Sequence, residues 1–514
     1  MANQDEVVAK FKRMGKEAKE ATPEGFLKHF KGEVFRNPSG DPEVSLTADG
    51  VRRIFDLGDE ETFSRYHRRW LDEKQFECPA PKESVLRQKL GDILYFDPNA
   101  KRRPVFLRCG YDDRALYYDL GTPDNRVVEI SPSGVRIITN PPVLFRRSDR
   151  TRPMPEPVFG GDIRELRRHL HPGLTDRDWY ALLFLEFTWL DPRLEPVKAF
   201  LSGDPSSGKS HTGWVLASLI DHRDVAELHL PGREEDLSLT AHNSYVVVYG
   251  NLDTVPKKFL SLLCKMTTGG EQSRRACHKD YQEARYELQR PTILTGLTNP
   301  IQISDELERM LEFRLLPLGQ GNKIQLRKRF LDARPRILGA FFDIMAKAMA
   351  MADLPPFEDP RPFRFQAEEE WARRCFLAAG LDPDAMSDAL RTIQARQVAA
   401  SLDDWSVWKP LKALWDNGHL SGGTTPQELL DLLDEIAGQS AVSQLADGWY
   451  AAREWPSEAR ESHARDRVRV QKEVHRTGAQ YSFCEPERAE SLESTGTAEA
   501  VEEVNPLGVR VTEG

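Results

Sequence analysis

The spacing of hydrophobic and polar positions changes several times along the chain, and each change marks a unit. Residues 1–68 are charge-rich, with short helical patterns at 7–21 and 23–30, and read as a helical segment with no assigned chemistry. Apolar residues at intervals of three and four predict a helix over 69–90. Alternating runs follow, PVFLRCG, RALYYDLG, RVVEISPSG and VRIITNPPVLFRR, separated by Asp-Asp, Gly-Thr-Pro-Asp and Pro-Ser-Gly turns. Residues 69–147 therefore read as a small α+β unit with antiparallel strands.

Residues 148–161, SDRTRPMPEPVFGG, are rich in proline and charge and predict a linker. Two helical patterns come next, at 162–170 and 175–190. Then an apolar run VKAFLSG, a glycine-rich turn and a helix are followed by the buried-looking runs VAELHL, YVVVYG and PTILTGL, with helical segments between. Strands alternating with helices predict a parallel α/β sheet, here over 162–353. Residues 323–351 are helical, prolines after 354 mark another boundary, and 362–484 read as mostly helical with AQYSF as a terminal strand. The acidic segment 485–514 has the composition of a disordered tail.

A length of 514 residues implies two to four domains. Hydrophobic residues at 39% and charged residues at 30% exclude fibrous and wholly disordered classes. Apolar runs stop well short of the roughly 20 residues that cross a bilayer, so no membrane partner is expected. The opening residues mix acids and bases without a signal-peptide pattern, and the expected location is cytoplasmic. Six scattered cysteines without metal-ligand spacing read as reduced thiols. Of the net charge of -10, the last thirty residues carry eight acids against two arginines. The folded body is thus nearer neutral, and local basic patches decide whether a polyanion binds.

One motif carries chemistry directly. GDPSSGKS at 203–210 fits the phosphate-binding loop pattern GxxxxGK[ST], directly after a strand and directly before a helix. Gly203, Asp204, Pro205, Ser206, Ser207, Gly208, Lys209, Ser210 and the following His211 are the candidate nucleotide contacts. Backbone amides there would wrap phosphate oxygens at a helix N-terminus, Lys209 would reach the β and γ phosphates, and Ser210 would ligate Mg²⁺. ATP and Mg²⁺ are the expected cofactors.

Such a site also needs an acid at the end of a nearby buried strand. The strand SYVVVYG ends instead in Gly250, Asn251, Leu252, Asp253. Asp253 is the candidate second acidic residue, for catalysis and for the metal, and the competing assignment is a helix cap before residue 256. If the acid is missing, ATP would bind with little or no turnover.

With the strand, the loop, GNLDTVPKKFLSLLCKMTTGGEQSRRACHKDYQEARYELQRPTILTG and ISDELERMLEFRLLPL together, residues 70–351 resemble P-loop ATPases of bacterial mobile elements and phages. These are related to the superfamily III, AAA+-type helicase portion of viral primase-helicases. The resemblance implies an AAA+ core working as a homo-oligomer, a hexameric ring, on single-stranded DNA. It implies a sensor asparagine at Asn299, with Thr295 as the other alignment, and an arginine finger at Arg309, with Arg314 as the second choice. It further implies a pore-facing hairpin in which Arg274, Arg275 and Lys279 meet nucleic acid, the competing assignment being a solvated basic loop.

Toward the C-terminus Arg460, Arg465, Arg467, Arg469, Lys472 and Arg476 outnumber the interspersed acids. Helix, helix and strand in that order resemble a winged-helix domain, which would lay Arg465, Arg469 and Lys472 on a basic helix against DNA. The expected function is an ATPase acting on DNA in a mobile-element, phage or antiphage-defence setting, with a partner primase, nuclease or other effector supplying chemistry absent here. The alternative is a nucleotide-gated oligomeric switch or scaffold that recruits such an effector. A small-molecule kinase is the third reading.

Overall fold

The computed structural model describes residues 22–403 except for 31, 49–50, 75–81, 98–100, 148–150, 223, 253, 276–282, 302–303, 318–321, 360 and 362, together with five C-terminal strands. Helix α1 (Pro23–His29) leads into the antiparallel meander β1 (Gly32–Arg36), β2 (Pro42–Ala48) and β3 (Val51–Asp56). Helices α2 (Glu60–Lys74) and α3 (Glu83–Phe96) cover it. Phe26, Val44, Leu46, Phe55, Phe63, Trp70, Leu86 and Leu90 form one core, with the Phe26 and Trp70 rings edge to face at 5.0 Å. A segment expected to be helical thus holds a three-stranded sheet. Its strands are short and dense in charge, but Val44 and Leu46 share a face by period-two spacing and bury it against the helices.

The predicted antiparallel unit is present. Strands β4 (Val105–Phe106), β5 (Cys109–Tyr111), β6 (Leu116–Asp119), β7 (Val127–Ser131), β8 (Gly134–Ile138) and β9 (Leu144–Phe145) follow, with β5 to β8 in sequential antiparallel order and β4 paired with β9. The segment after it, expected to be a linker, is strapped down. Met154 is buried and its N–H bonds Leu120 O at 2.8 Å, and Val158 N–H bonds Pro335 O at 2.8 Å.

A short 3-10 helix (Ile163–His169) precedes α4 (Asp176–Trp189), opened by a Thr175–Asp178 capping box and buried on nearly every side. The central sheet comprises β10 (Lys198–Ser202), β11 (Val247–Tyr249), β14 (Thr292–Gly296) and β15 (Met310–Arg314), all parallel, in the order β11-β14-β10-β15. Between them run α5 (Lys209–Ile220), α6 (Glu234–His242), α7 (Lys257–Thr268), the antiparallel hairpin β12 (Glu271–Arg275) and β13 (Glu283–Glu287), and α8 (Ser304–Glu308). A mixed α/β fold with a parallel sheet was the expected class. The run VAELHL contributes only a parallel bridge from Leu228 to Tyr249.

Helices α9 (Lys323–Met349), α10 (Gln366–Ala378) and α11 (Pro383–Asp403) complete the described helical region. Pro335 lies inside α9, where it removes one helical N–H. Gln397 of α11 fastens the start of β15, donating to Leu307 O and Met310 O and accepting from Glu312 N–H.

The C-terminal strands β16 (Gly423–Thr424), β17 (Arg469–His475), β18 (Gly478–Cys484), β19 (Val501–Val504) and β20 (Arg510–Thr512) form one sheet. The terminal strand expected at AQYSF is β18. Arg469 and Lys472 stand on strand β17, paired with Cys484 and Tyr481, where helical charge spacing pointed to a helix. Val470 and Val474 are the β-branched residues that favour a strand there. Strands β19 and β20 fall inside the segment for which composition suggested disorder. Among the described residues no helix is long and apolar enough to cross a membrane.

Candidate nucleotide site

Strand β10 is buried along its whole length and delivers the chain into a turn at 203–208. Three residues of this turn have positive φ: Gly203 at 146°, Ser206 at 66° and Gly208 at 82°. Two of them are glycines, as left-handed backbone prefers. Ser207 is buried and donates its N–H to Asp204 O at 3.2 Å, whereas Asp204, Pro205 and Ser206 are exposed. Gly203 N–H bonds Leu297 O at 3.1 Å and Leu315 N–H bonds Ser202 O at 2.8 Å, so both flanking strands hold the mouth of the loop. A Cβ on Gly203 would meet Leu315 O at 2.2 Å.

The loop ends on the first turn of α5, whose uncapped amides face it. Lys209 Nζ folds back onto Gly203 O at 2.6 Å and Asp204 O at 2.8 Å. Partial burial lowers its pKa, opposed by Asp204 and Glu227. The ammonium therefore occupies the loop on carbonyl partners that an anion would replace. His211 lies on the same first turn, its Nδ1 buried without a hydrogen bond among the described residues and its pKa lowered by burial and by Arg327.

A residue that sequence reasoning missed completes this group. Ser210 Oγ donates to Glu227 Oε1 at 3.1 Å, and Thr295 Oγ1 donates to Glu227 Oε2 at 3.2 Å. Thr295 is on the face of the sheet that α5 covers, since Gly213 of α5 packs on Leu201 and Ile293, residues alternating with Phe200 and Leu294. The run VAELHL that carries Glu227 marked buried chain but not the acid's partners, because only the bridge from Leu228 to Tyr249 sets Glu227 beside Gly250.

Asn299 makes other contacts. Its Nδ2 reaches Glu312 Oε2 at 3.3 Å and Met310 Sδ at 3.4 Å, and Glu312 Oε1 accepts from Ser202 Oγ at 2.6 Å. Of the two sensor alignments, Thr295 joins the Ser210 group and Asn299 does not. Asp253 lies outside the described residues.

Arg309 sits at the opposite end of the sheet. It precedes β15, its carbonyl accepts from Lys198 N–H at the start of β10, and its guanidinium bonds Asp305 Oδ1 at 2.6 Å. Behind it, wholly buried Lys198 faces Glu306 at 3.3 Å and donates to Thr267 Oγ1 at 2.6 Å. Burial lowers the Lys198 pKa while Glu306 opposes the shift. Arg314, in contrast, is exposed and stands beside Ser202 at the loop end. Along the strand direction the two arginines are five residues apart, about 16 Å.

The basic stretch expected to form a hairpin does so. Arg274 and Arg275 close strand β12 opposite Ala284 and Glu283. Lys279 and Arg465 fall outside the described residues.

The profile of the actinomycete integrative conjugative element replication protein family matches residues 176–404, which contain the loop, Glu227, Thr295 and both arginines. The chain resembles replication proteins of bacterial mobile elements. Among solved structures, the active helicase Cch of SCCmec type IV aligns at 12% identity with a TM-score of 0.46, over 90% of this chain and 94% of that one. An apo structure of the NrS-1 C-terminal region aligns at 11% identity with a TM-score of 0.36, over 89% of this chain and 97% of that one. Curated proteins gave no match.

Proposed function

We propose that the chain is a P-loop ATPase of AAA+ type that assembles into a ring on DNA and serves replication of a mobile element. The observation that carries this reading is the turn at 203–208. It closes between a buried parallel strand and a helix N-terminus, with Lys209 held inside it and Ser210 at its edge. The residues present fit ATP and Mg²⁺. Positive φ at Gly203 and Gly208 opens the backbone toward an anion, and among the described residues the Lys209 ammonium rests on oxygen acceptors of the same loop.

Lys209 and the loop amides would hold the phosphates, and Ser210 would hold the metal. Bound Mg²⁺ supplies charge neutralisation between the phosphates. The placement of β10 between β14 and β15, with β11 beyond β14, supports the AAA+ reading. The position of Arg309, remote from its own loop, suits a residue that acts on a neighbouring subunit and hence a ring. The β12–β13 hairpin is the element suited to single-stranded DNA.

The test is ATP turnover with and without single-stranded DNA, for the unmodified chain and for Lys209→Ala. Stimulated turnover that Lys209→Ala abolishes supports the motor. Absence of ATP binding by the folded chain overturns the reading.

A second reading, a nucleotide-gated switch that recruits a primase, nuclease or other effector, is favoured by Gly250 at the end of β11 in place of a carboxylate. It predicts ATP binding and ring formation without turnover.

A further inference from the structure

Strand β11 ends at Tyr249 and is followed by Gly250 rather than a carboxylate, yet the space beside that glycine is filled. A Cβ built on Gly250 would lie 2.3 Å from Glu227 Cδ and 2.5 Å from Glu227 Oε2. The carboxyl group of Glu227 thus stands where an acidic side chain at 250 would begin. Backbone bonds fix it there: Leu228 N–H to Val248 O and Gly250 N–H to Leu228 O, each 2.8 Å, hold the segment parallel to β11. Each carboxylate oxygen takes a different hydroxyl, Ser210 from the first turn of α5 and Thr295 from β14, the two elements that frame the loop.

We propose that Glu227 supplies, from the segment bridged to β11 at Leu228, the carboxylate that holds the Mg²⁺ water shell next to Ser210, in the place that Gly250 cannot fill. The inference rests on the nucleotide reading above. A magnesium ion keeps several waters and binds through one or two carboxylates plus phosphate oxygens, so a half-buried acid already bonded to the metal-binding hydroxyl meets the requirement. Thr295, at the sensor position, orients that carboxylate through the second oxygen. The exchange of positions also accounts for Gly250: any larger residue there would displace Glu227.

The experiment measures affinity for a fluorescent ATP analogue in EDTA and in Mg²⁺, for the unmodified chain, Glu227→Gln, Asp253→Asn and the double variant Glu227→Ala with Gly250→Asp. The expected result is a Mg²⁺-dependent gain in affinity that Glu227→Gln reduces about 10- to 100-fold, the range for partners that position a metal. Affinity in EDTA stays close to that of the unmodified chain, Asp253→Asn keeps the gain, and the double variant recovers it in part. A merely structural role for Glu227 would lower both affinities together and would not be rescued from position 250. A gain that survives Glu227→Gln, or that Asp253→Asn removes instead, overturns the inference and leaves nucleotide binding standing. An unmodified chain that binds in neither condition overturns both.

Discussion

Arg108 and Asp221 join the antiparallel unit to the far end of the loop helix. Arg108 Nη2 and Nε reach Asp221 Oδ1 at 2.8 and 3.1 Å, Nη1 donates to Asp119 O at 2.9 Å, and Arg108 is 1% exposed. Asp221 caps α5, and its other oxygen accepts from Tyr245 N–H at 3.2 Å. Tyr118 OH adds a bond to Ile220 O at 2.7 Å. Substitution Arg108→Ala takes this donor from the buried Asp221 carboxylate and from two backbone carbonyls, Asp119 O and Arg152 O. It is expected to cost about 3–5 kcal/mol of stability, measured by denaturant unfolding, whereas loss confined to fractions of a kcal/mol would show that the pair is dispensable.

Glu186 presents the opposite case. It is completely buried in α4 and neither carboxylate oxygen has a hydrogen-bond partner among the described residues. Burial raises its pKa well above the usual carboxylate range, so the folded state keeps the proton that the unfolded chain releases above about pH 4.3. Its contribution is therefore fully favourable below that pH and is lost as pH rises toward the raised folded value. Glu186→Met is expected to stabilise the chain by about 1–3 kcal/mol at neutral pH and to flatten the decline of Tm with pH. An unchanged pH profile in the variant would refute this.

The arginines at the two ends of β15, Arg309 just before it and Arg314 its last residue, predict different defects. Arg309→Ala removes a group remote from its own loop, so ATP affinity should stay within about twofold while DNA-stimulated turnover falls by about 10³ or more, as for a finger acting between subunits. Mixing this variant with Lys209→Ala should restore part of the activity, because each lacks a different half of the shared site. If the mixture stays inactive and Arg314→Ala shows the turnover defect, the finger is Arg314, which stands beside Ser202.

For the hairpin the measurement is salt dependence. Replacing both Arg274 and Arg275 with alanine should weaken single-stranded DNA binding and reduce the slope of log K against log salt by about 0.7 per arginine. A slope that does not change would place the DNA elsewhere.

The loop, its flanking strand and helix, and the hairpin were legible because each is specified locally: glycines, a Lys-Ser pair, a Gly-Gly entry and a following proline sit at fixed offsets. The N-terminal meander was less legible because charge density masked the period-two positions Val44 and Leu46, which only tertiary burial against α2 and α3 makes decisive. Glu227 was invisible for a different reason. It is far from Gly250 and Thr295 in sequence, and only the parallel bridge at Leu228 brings the three together. The face on which Thr295 lies was hidden for the same cause, since it follows from sheet register and helix packing rather than from spacing.

The strap along α9 changes what the proline-rich segment does. Gly339 lies so close beneath it that a methyl group there would strike Val158 O at 2.0 Å, and Pro335 contributes a carbonyl to the same seam. A hinge would let the front of the molecule swing freely; this seam rivets it to α9, the longest of the described helices. Proteolytic nicking within 151–161 is therefore expected to leave two fragments that still travel together through gel filtration, and any displacement of α9 would carry the front unit along as ballast.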